Sequence, residues 1–231
     1  ETADRIITGA DGTAVSKELY PGKYLLREIS APEGFAADTE VKELTVTAGI
    51  KKIEVKNERK KQEYKIQKNL EKDQKFGIGF NGEILNIRFG LFSKNELTAL
   101  DGSIIPADGL IEVATPDEDG FLRFMADMPY NAECYIKELE TDEHYIISDK
   151  CYSDGDSVIN KIIRGSIEGL KTDPNGRVLK GAVIGLFYPF ETEFSLDTAL
   201  ETFETDEAGR FSFKDVPYGE WIIRELKAPD G

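Results

Sequence analysis

The chain has 231 residues, with 29 Lys and Arg against 44 Asp and Glu, a formal charge of −15. That balance disfavours nucleic acid and anionic membrane surfaces as partners, since both need basic patches. No apolar run approaches the ~18 residues of a membrane-crossing helix and no signal peptide opens the chain, so the expectation is a piece of a longer protein, here with one to three domains of modest core.

In chain order the pattern is β almost throughout. Short alternating runs are broken by turn signals at Asp11-Gly12, Asp101-Gly102, Asp108-Gly109, Asp119-Gly120, Asn175-Gly176 and Ala208-Gly209, where Gly supplies the positive φ of tight hairpins. Only 197–204 suggests one or two helical turns. The spacing predicts β-sandwiches.

Three strand faces carry a polar group where alternation calls for an apolar one. Tyr64, Ile66, Lys68 and Leu70 share a face, as do Cys134, Ile136 and Glu138, and Val158, Asn160 and Ile162. An amine, a carboxyl and a carboxamide thus point at one apolar core, which is costly unless they pair or react. One such residue alone is usually an edge or snorkelling side chain, but the set recurs. The interval from Asn57 to Lys68 equals that from Asn160 to Lys171, and Tyr24-x-Leu26-x-Glu28 and Trp221-x-Ile223-x-Glu225 repeat the Glu138 pattern. Asn57 is expected to end a strand through Ile53 and Val55, and Lys171 one through Ile163 and Ile167. Gly12 precedes Glu28 by the same interval as Gly209 precedes Glu225; Gly120 to Glu138 is two residues longer. Gly90-Leu91-Phe92 matches Gly185-Leu186-Phe187, with an insertion in the middle copy near Asp73–Gly82. The repeat divides the chain into 1–58, with Glu and Asn but no Lys; 59–162, with all three; and 163–231, with Lys and Glu but no Asn.

Gly22-Lys-Tyr24-Leu-Leu-Arg-Glu28-Ile-Ser-Ala31-Pro32-Glu-Gly34-Phe35 and Trp221-Ile-Ile-Arg-Glu225-Leu-Lys-Ala228-Pro229-Asp-Gly231 resemble the Glu-containing box of the Cna-B-type domains of Gram-positive surface adhesins and pilins. Leu170-Lys171-Thr-Asp173 with Leu179-Lys-Gly-Ala182 resembles that family's opening signature, and Val55-Lys-Asn57-Glu its closing strand. The middle copy departs: Glu140-Thr-Asp142 stands where the others have Ala-Pro, and Asn69-Leu70 follows Lys68. The resemblance implies an all-β chain of tandem immunoglobulin-like, prealbumin-like sandwiches: 1–58 the C-terminal half of one, 59–162 complete, 163–231 the N-terminal part of a third. It also implies a surface location with cell-wall anchoring, although no sorting signal is present in this sequence, and an internal Lys–Asn isopeptide bond.

Chemically the trio suits that bond. Desolvation favours the neutral amine and the protonated carboxyl, proximity replaces a bimolecular encounter, and ammonia leaves. The expected pairs are Lys68 with Asn160, and Lys171 and Asn57 at the two incomplete copies, promoted by Glu138, Glu225 and Glu28. This is single-turnover self-chemistry, so the chain is not expected to be an enzyme, and a stiffened stalk or spacer follows. The competing reading is a ligand-binding adhesin module, with the insertion and the Phe92–Thr115 segment meeting a host matrix or cell-surface ligand. Cys134 and Cys151 allow a disulfide in an oxidising compartment, while Cys134 also fits as a small buried hydrophobe. His144 sits among polar neighbours and no cofactor motif is present. The acidic turns Asp117–Asp119, Asp154–Asp156 and Asp206-Glu207 fit Asp-Gly turns better than a calcium loop, so no metal is expected. Expected partners are neighbouring domains of the same surface protein. Pairing of the incomplete ends between two chains, through a Lys171–Asn57 bond, is a further expectation.

Overall fold

The computed structural model describes residues 2–99 and 102–229. Asp101 of one expected turn, and the Asp230-Gly231 end of the second Glu box, lie outside the described residues. Among the described residues sixteen strands form in alternating segments between Gly- and Asp-rich turns, and the chain divides into two compact units, 1–62 with 127–131, and 63–126 with 132–231.

The first unit carries the antiparallel pair β1 (Gly22–Leu26) and β2 (Lys42–Val46), with Tyr24 opposite Leu44. None of the described residues 2–62 is buried, and Tyr20, Leu25 and Ile50 are largely exposed.

In the second unit the next strands are β3 (Lys61–Leu70), β4 (Arg88–Ser93), β5 (Leu97–Thr98), β6 (Ile104–Ile105), β7 (Leu110–Ala114), β8 (Phe121–Pro129), β9 (Cys134–Glu140), β10 (Cys151–Tyr152) and β11 (Ser157–Asn160). Two sheets face one another, ordered β11-β3-β8 and β10-β9-β4-β7. Between them lie Tyr64, Ile66, Phe89, Leu91, Leu122, Phe124, Ile136 and Val158, all buried, as period-2 alternation requires. The last strand, β11, runs parallel to the first, β3, with Val158 beside Lys68 and Asn160 beside Leu70.

A third set repeats the plan. It comprises β12 (Arg164–Leu170), β13 (Val183–Phe187), β14 (Glu201–Glu204), β15 (Arg210–Pro217) and β16 (Ile222–Lys227). Here β12 pairs with β15, and β13 lies between β14 and β16, as β3 lies beside β8 and β4 between β7 and β9. Residues 201–204, expected to turn helically, pair instead with β13. The β-prone Thr202 and Phe203 meet a strand partner there, which outweighs a short local tendency. A 3₁₀ segment at Glu83–Asn86, the one helical turn among the described residues, was not foreseen.

The insertion after Leu70 is the joint between these two strand sets. Phe76 and Ile78 join Tyr145 and Ile162 in one buried cluster with Ala182, Ile184, Leu186, Phe213 and Val216. The Phe76 ring meets Trp221 edge-on at 5.0 Å. Arg164 bonds Asp73 at 2.7 Å and Glu71 at 3.3 Å, and the Tyr188 hydroxyl donates to the Lys75 carbonyl at 2.9 Å. Two of the insertion's apolar side chains, Phe76 and Ile78, are therefore buried against the neighbouring sandwich, while Phe80 stays exposed.

Cys134 and Cys151 are not bridged; both are free thiols. Cys151 stands opposite Lys137, three residues along β9 from Cys134. That separates the two by roughly 10 Å along the strand, on opposite faces, which no disulfide spans. Cys134 is buried and Cys151 exposed.

Candidate functional site

Lys68, Glu138 and Asn160 meet inside the middle sandwich. Their relative exposures are 0, 2 and 1%. Lys68 and Asn160 come from adjacent strands of one sheet and Glu138 from the facing sheet, so the trio ties the two layers together. Glu138 Oε1 lies 3.4 Å from Lys68 Nζ and accepts a hydrogen bond from Asn160 Nδ2 at 2.7 Å. The other carboxylate oxygen is fixed by the Ser148 backbone N–H at 2.7 Å. One oxygen thus stands between the amine and the amide nitrogen. Among the described residues two buried side-chain atoms have no hydrogen-bond partner, Lys68 Nζ and Asn160 Oδ1. Such orphans are costly. Burial drives the Lys68 pKa below its ordinary value of 10.5, and the Glu138 carboxylate pulls part of the way back.

Backbone geometry seats the lysine. Gly120, at φ 79°, has no room for a Cβ, which would lie 2.0 Å from the Lys68 carbonyl oxygen, and its own carbonyl accepts from the Lys68 N–H at 2.7 Å. The third copy repeats this: Gly209, at φ 68°, would place a Cβ 2.7 Å from the Lys171 carbonyl, and it accepts from Lys171 N–H at 2.8 Å. The turn glycines that precede Glu138 and Glu225 therefore also let the backbone pack against the lysine. Thr141 was not singled out by its position in the sequence, yet its Oγ1 accepts a second bond from Asn160 Nδ2 at 2.9 Å.

The end copies hold two of the three groups each. Lys171 Nζ reaches Glu225 Oε2 at 2.9 Å, with side chains 28 and 35% exposed. Asn57 Nδ2 donates to Glu28 Oε2 at 2.6 Å and to the Ala36 carbonyl at 2.9 Å. Glu28 is steadied by the Asp38 N–H at 2.5 Å, the counterpart of Ser148. Glu28 lies two residues past β1, and 53–57 is not a strand: among the described residues no strand pairs with it, whereas β11 forms against β3.

His144 contacts Asp142 through Nδ1 at 2.7 Å. The acidic turns fold on themselves: Asp117 Oδ1 accepts from Phe121 N–H and Asp206 Oδ1 from Arg210 N–H, each at 2.8 Å. Among the described residues no group of three or more His, Cys, Asp or Glu could hold a metal ion, and no helix is long and apolar enough to cross a membrane.

Two facing sheets with an apolar layer between them define the β-sandwich class. The SpaA prealbumin-like fold domain family matches residues 1–59 and 165–231, more than half of the chain, and the chain belongs to that family. The resemblance to Cna-B-type domains is borne out, as is the all-β sandwich fold. No curated protein matches. Among solved structures, the Bacillus anthracis TIE protein is similar at 24% identity and TM-score 0.67, over 96% of this chain and 39% of that one. The chain thus spans well under half of that protein. The major pilin subunit BcpA of Bacillus cereus aligns at 20% identity and TM-score 0.37, over 97% and 83% of the two chains. The C-terminal fragment of the pilus adhesin SpaC from Lactobacillus rhamnosus GG aligns at 12% and 0.43, over 74% and 77%.

Proposed function

We propose that this chain is a stalk segment of a Gram-positive surface adhesin or pilin, with its middle sandwich closed by a self-formed Lys68–Asn160 isopeptide bond. One observation carries the reading: a fully buried amine and carboxamide, one orphan atom on each, with a single carboxylate oxygen between their nitrogens. Neutral Lys68 Nζ attacks Asn160 Cγ. Glu138 Oε1 takes a proton from Nζ and passes it to Nδ2, the Cγ–Nδ2 bond breaks and ammonia leaves, with Nζ–Cγ joined as an amide. Glu138 ends as it began, and the chemistry happens once per chain, so the protein turns over no external substrate.

The bond joins the first and last strands of the sandwich. By analogy with a disulfide closing a loop of that size, it removes about 4–5 kcal/mol of freedom from the unfolded chain, and no reductant reverses it. Tension entering at either end of the sandwich would then bypass its core, which suits a cell-surface stalk held between neighbouring domains. The adhesin reading loses half of its surface, because Phe76 and Ile78 of the insertion are buried.

The intact mass of the denatured, reduced protein tests this against Lys68→Ala. Wild type lighter by one ammonia, with the variant at full mass, is the expected result. Wild type at full mass would reduce the trio to a buried polar cluster.

A further inference from the structure

We propose that Thr141 is a positioning residue for the cross-link, holding the nitrogen that departs as ammonia; this rests on the Lys68–Asn160 reading above. Thr141 stands where the chain's other two copies carry Ala31 and Ala228, so the fold itself asks for no hydroxyl there. In the middle copy that hydroxyl lies 2.9 Å from Asn160 Nδ2, while Glu138 Oε1 takes the other amide hydrogen at 2.7 Å. With both hydrogens engaged the carboxamide cannot exchange its nitrogen and oxygen. Nδ2 stays beside the proton shuttle and Oδ1 stays on the side without a partner, where charge would gather when Cγ is attacked.

The hydroxyl can also follow the reaction. A planar amide nitrogen has no lone pair to offer, so at first Thr141 Oγ1 only accepts. When Nζ adds to Cγ, Nδ2 becomes tetrahedral and gains a lone pair. That lone pair receives the proton relayed from Nζ through Glu138 and completes ammonia, while Thr141 Oγ1 goes on accepting an N–H of the departing nitrogen. Thr141 itself gains and loses nothing. At Asn57 the second bond goes to the Ala36 carbonyl, which can only accept.

The test is a time course of intact mass after a short pulse of synthesis of the full chain, for wild type, Thr141→Ala, Thr141→Val and Thr141→Ser. Ala and Val should shed ammonia at least about tenfold more slowly than wild type, as expected for losing one hydrogen bond to a reacting group. Ser should restore the rate to within about a factor of two, since it returns the same donor and acceptor. Each substitution repeated in a Lys68→Ala background should still give one cooperative unfolding transition, its midpoint lowered by no more than the loss of one hydrogen bond, which separates positioning from folding. Ala and Val at the wild-type rate, or Ser as slow as Ala, would overturn the role of Thr141 and leave the cross-link standing. A wild type that never loses ammonia would overturn both.

Discussion

Two amine–carboxyl pairs occupy matching places in the repeat and live in different solvents. Lys68 and Glu138 are sealed between two complete sheets with Asn160 beside them. Lys171 and Glu225 make a shorter contact, 2.9 against 3.4 Å, yet both remain about a third exposed. Closer contact in water gives an ordinary ion pair, worth little. Around the longer contact, burial lowers the amine's pKa against the pull of the carboxylate, and the amine nitrogen is left unsatisfied. On the proposed reading, reactivity follows enclosure, not proximity of charges.

The largest expected effect is at the sealed site. Lys68→Ala should abolish ammonia loss and lower stability by about 4–5 kcal/mol, the loop-closure contribution of the bond, read from denaturant unfolding. A variant as stable as wild type would break the comparison. Next, Phe76→Ala should destabilise the third strand set by about 3–5 kcal/mol, as for other buried aromatic truncations. Trp221, the single tryptophan, touches that ring, so its fluorescence reports the loss while the mass still shows the middle bond. A third test uses pH. The attacking form is the neutral amine, so the rate should rise as Lys68 loses its proton. Because burial lowers the Lys68 pKa, that rise should level off below pH 10.5; a rate still climbing past that value would mean a solvated lysine. The smallest effect is expected at Lys171→Ala: ammonia loss unchanged, and stability altered by less than about 1 kcal/mol, the range of exposed ion pairs. A lost ammonia traced to Lys171 would show that enclosure is not required, and a covalent ladder on a denaturing gel would point to bonding between chains.

Much of this was legible in the residues. Alternation alone put Lys68, Glu138 and Asn160 on inward faces, because side chains on a pleated strand have no other choice. The strand pairing that brings Asn160 two residues beyond Val158 in parallel register is long-range, and no local pattern encodes it. Asn57 illustrates the limit from the other side: Ile53 and Val55 alternate as a strand should, but a strand also needs a partner. Cys134 and Cys151 suggested a bridge from hairpin spacing, and a register in which Cys151 meets Lys137 undid it. Thr141 was visible only as a departure from Ala, since the amide it touches lies 19 residues away in the chain. The insertion read as a candidate binding loop because loops on sandwiches often bind; Phe76 instead has a core in the following sandwich, while Phe80 stays exposed.

The passage from β11 to β12 has only residues 161–163, and each is held. Lys161 accepts from Ile146 N–H and Ile163 from Tyr218 N–H; Ile163 N–H donates to His144; Ile162 N–H donates to Glu71. A connection with four of its six backbone groups committed in this way has little freedom to swivel. Two sandwiches joined this way lose the hinge that a slack tether would provide. Anything carried beyond them would sweep a narrower cone, and thermal motion would have to find its freedom elsewhere along the protein.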